Sequence, residues 1–172
     1  MAAYRGRSTR SLDPKMRLSS VLFGLSLVSG VAMADTSVIY GAGISNSYLY
    51  TIDCDSCIPG MNSVYLWKLR VKKTIAGPNV KGVVRATFGQ HTGATDRFVR
   101  SVRLFVLTPI EDPEGRANTG AEFSIVTLSP VYATGRFCLA NQPSDFGLKV
   151  PPEHVSVDSS GYYCFPKTDV VP

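Results

Sequence analysis

The chain has two histidines, four cysteines and one tryptophan in 172 residues, and only 18% of it is charged. His-Glu-x-x-His is absent, and His91 and His154 stand alone, so the common histidine-based metal sites cannot be assembled from neighbours in the chain. No Gly-x-Ser-x-Gly elbow and no glycine-rich phosphate loop ahead of a helix occurs, which removes the best-marked hydrolase and nucleotide-binding patterns. No stretch of ten or more residues carries a clean helical stripe, so a helix bundle is excluded. No apolar run reaches the roughly 20 residues that a membrane-spanning helix needs. The 15 glycines and 11 prolines follow no three-residue period, which excludes a collagen-like chain. No internal repeat is visible. The sequence implies no cofactor and no resident metal.

What is present begins with apolar content. At 44% it is enough to bury a core, and the length suits one domain of roughly 100–200 residues. The formal net charge is +5, which invites a polyanion or membrane surface as partner. Most of that charge belongs to a leader. Lys15 and Arg17 precede an apolar segment from Val21 to Val31, and Ala32-Met33-Ala34 supplies the small-x-small pattern of a secretory cleavage site. Met16 makes a compact start for such a signal and is the expected first residue. Removing residues 1–34 takes away five basic residues and one acid, leaving 13 basic and 12 acidic residues and a net charge near +1. The expected organisation is a leader over 1–34 and a single β-rich domain over 35–172, exported to the periplasm or secreted.

All four cysteines follow the leader. An even count in an exported chain predicts two disulfides, of which three pairings are possible. Cys54–Cys57 and Cys138–Cys164 is the favoured set. The first closes a tight local loop. The second joins two strand-like runs across 26 residues and is worth about 3 kcal/mol by the loop-entropy argument. A redox reading of Cys54-x-x-Cys57 is disfavoured. Ile58-Pro59-Gly60 breaks any helix after the second cysteine, and Asp53 and Asp55 oppose thiolate formation. A zinc reading lacks a second cysteine pair.

The dominant period is two. In Tyr65–Ile75, Tyr65, Trp67, Leu69 and Val71 face one way and Lys68, Arg70 and Lys72 the other, the pattern of a half-buried strand. Ala76–Asn79 reads as a turn, Val80–Phe88 as the next strand and Gly89–Asp96 as a loop. Phe98–Leu107 reads as a third strand with Arg103 outward. Glu111–Gly120 reads as a polar loop. Glu122–Leu128, Val131–Leu139 and Tyr162–Phe165 are later strands, and Val38–Tyr40 and Tyr48–Asp53 are short early ones. Many short strands with Gly/Pro turns predict an all-β fold, a small barrel or sandwich.

The alternating strand, the turn with Lys73, Ile75 and Gly77, the second strand with Val83, Val84 and Ala86, and the apolar run Val102–Leu107 together resemble the first half of an OB-type barrel of the netrin-like kind found in exported bacterial proteins. The resemblance spans residues 64–107 and implies an OB-like barrel. Netrin-like protease inhibitors carry a cysteine near the mature N-terminus. Cys54 lies about twenty residues in, so that activity is not implied.

Two surfaces merit attention. Lys68, Arg70 and Lys72, joined by Arg85 and Arg103 on the next strands, form a candidate basic sheet face. The expected partner is an envelope polymer or a protein. Nucleic acid is disfavoured, because Tyr65 and Trp67 point away from the charges and offer no stacking platform. His91, in the Gly89–Gly93 loop near Asp96, is the candidate general base of a small hydrolase, the alternative function. His154, after Pro151-Pro152-Glu153, reads as surface. The expected function is a non-catalytic binding or structural module. A third form of it would add an edge strand to a partner.

Overall fold

The computed structural model describes residues 35–52, 63–90, 95–130 and 135–171. The chain order is β1 (Ser37–Thr51), β2 (Ser63–Ala76), β3 (Val83–Gln90), helix α1 (Asp96–Arg100), β4 (Val102–Pro109), helix α2 (Pro113–Thr119), β5 (Phe123–Leu128), β6 (Arg136–Leu139), β7 (Ser156–Val157) and β8 (Tyr163–Pro166). The first five strands close into a barrel in the order β1-β2-β3-β5-β4, and β4 returns to β1. Neighbours are antiparallel except β3 and β5, which run parallel through Ala86↔Phe123 and Thr87↔Ser124. This is the strand order of an OB-type barrel, so the expected all-β, OB-like fold is the one that forms.

The barrel interior holds Ile39, Trp67, Leu69, Val84, Ala86, Phe105, Leu107 and Ile125. These residues follow the period-two pattern of the sequence. A second cluster lies outside the barrel. The sheet β6-β8-β7 and the turns around it lay Phe137, Leu139, Phe146, Leu148, Phe165 and Val170 over Val38, Leu104 and Val106. β1 and β4 are therefore covered on both faces in this region, which explains the unbroken apolar run Leu104-Phe105-Val106-Leu107. Each side chain buried there contributes on the order of 2 kcal/mol before chain entropy is counted. Cys138 and Cys164 sit directly opposite each other on β6 and β8 and are joined by a disulfide, as expected. Cys54 and Cys57, expected to form the other disulfide, lie outside the described residues, as do residues 1–34, the expected leader.

Several local expectations are corrected. The two short early strands are one, because Gly41, Ala42 and Gly43 continue β1 instead of breaking it. Both glycines are close-approach positions. A Cβ on Gly41 would lie 2.5 Å from the Arg70 carbonyl oxygen. One on Gly43 would lie 2.5 Å from the Val99 carbonyl oxygen and 2.7 Å from Val99 Cγ1. Phe98–Arg100, expected to begin a strand, belongs to α1. The Thr95 hydroxyl accepts a hydrogen bond from Phe98 N at its start, and Val99 is buried against β1. The expected loop Glu111–Gly120 contains α2. Asp112 caps it by accepting from Glu114 N and Gly115 N, Pro113 opens its first turn, and Gly120 ends it in the left-handed region. The expected strand Val131–Leu139 begins at Arg136, with 131–134 outside the described residues. The two-residue β7 had no expected counterpart.

Gly43→Ala is expected to lose about 2 kcal/mol, because α1 has to lift from β1 to admit the methyl. Gly89→Ala, where nothing lies within 4 Å of an added Cβ, is the control, and its expected change is within about 0.5 kcal/mol. Urea denaturation of both variants measures the difference. Equal midpoints would show that α1 does not depend on that approach.

Candidate binding site

Lys68, Arg70 and Lys72 alternate along β2 with the buried Trp67 and Leu69 and the half-buried Val71, and all three cations are exposed. The β-strand rise of about 3.3 Å per residue sets them about 6.6 Å apart along one outer face. Arg85 on β3 stands directly opposite Lys68. Two like charges facing each other across a ladder weaken that pair, so this arrangement does not serve strand pairing. The four candidate cations are thus brought together on the exterior of β2 and β3. Glu122 borders this face. Its Oε2 accepts from Arg85 N at 3.2 Å, and its own backbone N–H donates to the Arg85 carbonyl. Val83 is exposed opposite Arg70 and adds an apolar spot between the charges.

The near-neutral balance of residues 35–172, 13 basic against 12 acidic side chains, conceals a segregation. Residues 63–110 carry nine basic side chains (Lys68, Arg70, Lys72, Lys73, Lys81, Arg85, Arg97, Arg100, Arg103) against one acid, Asp96. Eight of the nine are exposed. Four exposed cations lie beyond the expected face: Lys73 and Lys81 share a cavity lining with Lys72, Arg100 shares one with Arg70, and Arg97 stands on α1. Arg70 and Arg100 flank a shallow cavity of about 280 Å³ floored by Gly43 and Ile44. Sequence periodicity could not find Arg100, because it reaches this face from α1, which read as strand.

Arg103 is the exception and corrects the expected outward position. It is 2% exposed. Its guanidinium lies 4.1 Å from the Phe98 ring centre and donates to the Phe98 carbonyl, to Ser101 Oγ and, at 3.5 Å, to the Ser129 carbonyl. Among the described residues no carboxylate forms an ion pair with it. Burial lowers its pKa from the ordinary arginine range to about 10, so it remains charged at neutral pH. A base whose folded pKa is depressed opposes folding at every pH below that value, and the burden eases only as pH rises from about 10 toward the unfolded value. The carbonyl hydrogen bonds and the ring contact are what hold this cation in place. Arg103 fastens α1 to β4 and takes no part in the basic face.

Of the catalytic candidates, only Asp96 falls among the described residues. His91 lies outside them. Asp96 has a side chain 92% exposed, 3.8 Å from Arg100 in a helical i,i+4 pair. His154 makes a contact that the sequence did not suggest: its Nδ1 lies 3.0 Å from Asp169 Oδ2. Among the described residues no hydroxyl or thiol is hydrogen-bonded to its other ring nitrogen, so this pair clasps two turns. One group of potential metal ligands converges, Cys138, Asp158 and Cys164, with ligand atoms within 4.8 Å of one another. Its two sulfurs are bonded to each other. No helix among the described residues is long and apolar enough to cross a membrane.

Comparison with known proteins finds no matching family model, no matching curated protein and no matching solved structure.

Proposed function

We propose that the chain is an exported, non-catalytic module that binds an anionic polymer of the cell envelope or extracellular space across the exterior of β2 and β3. The observation that carries this reading is the charge segregation: eight exposed cations and one acid in residues 63–110. A fold does not need like charges set opposite one another, as Lys68 and Arg85 are, whereas a polyanion neutralises both at once. The face of strands 2 and 3 is also where OB-type barrels offer their ligand surface. Among the described residues the aromatic side chains of β2 and β3, Tyr65, Trp67 and Phe88, pack on the barrel core and leave Tyr40, beside Lys72, as the aromatic next to the stripe, which favours a polymer recognised by charge over one recognised by base stacking. The disulfide between Cys138 and Cys164 supports an oxidising destination.

The test is a double reversal, Lys68→Glu with Lys72→Glu. Both positions are exposed strand positions, so folding is expected to be retained within about 0.5 kcal/mol. Retention on a heparin column is expected to collapse to near the flow-through, and the wild-type elution is expected to be steeply salt-dependent. Unchanged elution would remove the reading.

A further inference from the structure

We infer that the mouth of the β2–β3 hairpin is a discrete site for a tetrahedral oxyanion, a phosphate or sulfate ester group. The inference rests on the polymer-binding reading for the identity of the carrier, and on separate geometry for the site. Val71 N donates to the Gly82 carbonyl at 2.9 Å, the last rung between the two arms. Beyond it, Thr74 Oγ1 donates to the Val80 carbonyl at 2.7 Å and accepts from Val80 N at 3.0 Å. Between rung and clasp the hairpin opens into a cavity of about 430 Å³ lined by Lys72, Lys73, Asn79 and Lys81, among others, with no carboxylate in its lining.

The opening is held by the fold. Gly77, at φ +76°, packs so tightly on the start of β1 that a Cβ there would lie 2.0 Å from the Thr36 carbonyl oxygen. Ser37 Oγ donates to the Pro78 carbonyl at 2.9 Å. Both contacts fasten the turn to the start of β1. Lys72 is steadied with its ammonium 5.8 Å from the Tyr40 ring centre. Lys73 and Lys81 line the concavity with Lys72 at its edge. Like charges gathered there repel one another, and a bound oxyanion turns that repulsion into attraction while the Asn79 amide supplies a neutral donor. Lysine binds phosphate as a point charge without demanding a fixed fork, which suits an open cavity of this kind.

The experiment is an amide NMR titration of the purified chain with inorganic phosphate and, separately, inorganic sulfate. Shifts are expected to concentrate on Lys73, Asn79, Lys81 and Gly82. Lys73→Gln with Lys81→Gln is expected to weaken binding about tenfold, while Lys68→Glu leaves it within about twofold. Phosphate affinity is expected to rise between pH 5 and 7.5 as its second proton leaves, and sulfate affinity to stay flat. The ratio at the upper pH identifies the ester. Shifts that are absent, or that spread evenly over Lys68, Arg70 and Arg85, overturn the site even if the glutamine variant fails to fold. Heparin retention without a phosphate response discards this site and keeps the polymer face. A localised phosphate response without heparin retention does the reverse.

Discussion

Replacing Trp67 with alanine is expected to destabilise the barrel by about 4 kcal/mol, enough to remove most of the stability of a domain this size. Trp67 is 0% exposed, and the rings of Phe88, Phe98 and Phe105 meet it edge-on at centroid distances of 6.2, 6.1 and 6.3 Å. It thereby joins β2, β3, α1 and β4 through one side chain. Among the described residues its indole Nε1 has no hydrogen-bond partner. The loss in the alanine variant is then packing alone, with no bond to break. It follows that Trp67→Phe should be mild for a buried tryptophan, about 1–2 kcal/mol, because it retains an aromatic ring and discards an N–H that bonds to nothing. Urea denaturation followed by circular dichroism gives both values, since Trp67 is the only tryptophan and its own fluorescence is lost with it. A phenylalanine variant as damaged as the alanine variant would mean that Nε1 has a partner after all.

Removing the disulfide with Cys138→Ser and Cys164→Ser is expected to cost about 3 kcal/mol, from a sequence separation of 26 residues. The damage should be local first. β6 and β8 pair only over Arg136–Leu139 and Tyr163–Pro166, and short sheets of this kind are marginal alone. Arg136 adds hydrogen bonds to the Cys164 carbonyl and Ser156 Oγ, and these cannot replace a covalent tie. With β6 and β8 loosened, Phe137 and Phe165 leave Leu104 and Val106, and the outer faces of β1 and β4 meet water. Hydrogen exchange should therefore rise in residues 136–166 before it rises in β2 and β3. Uniform exchange across both regions would show that the barrel and its outer cover unfold as one unit.

The barrel was legible because its strands obey a simple rule. Trp67 and Leu69 alternate with Lys68 and Arg70, and Val84 and Ala86 alternate with Val83 and Arg85, so both inner face and outer stripe could be assigned from period two. The outer cover was not legible. Its members Phe137, Phe146, Leu148 and Phe165 lie in short segments and turns with too few residues to show any period. Arg103 misled for a related reason. Alternation groups it with Phe105, opposite Val102, Leu104 and Val106, and a charge suggests that this face is the solvated one. It is instead the face that Phe105 and Leu107 turn into the barrel, with Arg103 covered by α1, a helix too short to announce itself in hydrophobicity. Gly41 and Gly43 read as punctuation, whereas their role is to let β2 and α1 approach, which only three-dimensional contact reveals. Of the candidate site, the β2 stripe and Arg85 were visible. The hairpin cavity was not, because its lining joins residues 71–74 of β2 to residues 79–82 of the turn, a juxtaposition that period two does not encode.

The topology also sets a schedule. β1 pairs with β2 a few dozen residues onward, but its other edge waits for β4, so that Ser37 meets Leu107 only after some seventy further residues have arrived. Closure waits longer still, for the two-residue parallel seam between β3 and β5 at Phe123 and Ser124. A chain delivered N-terminus first therefore presents Val38 and Ile39 unprotected for most of its own passage. Such distant pairings fold slowly, on the millisecond-to-second scale of non-local β proteins, and leave an open edge that invites the wrong neighbour in the interval. Val38 and Ile39, both 0% exposed in the finished molecule, are thus the residues that stay uncovered longest before the barrel closes.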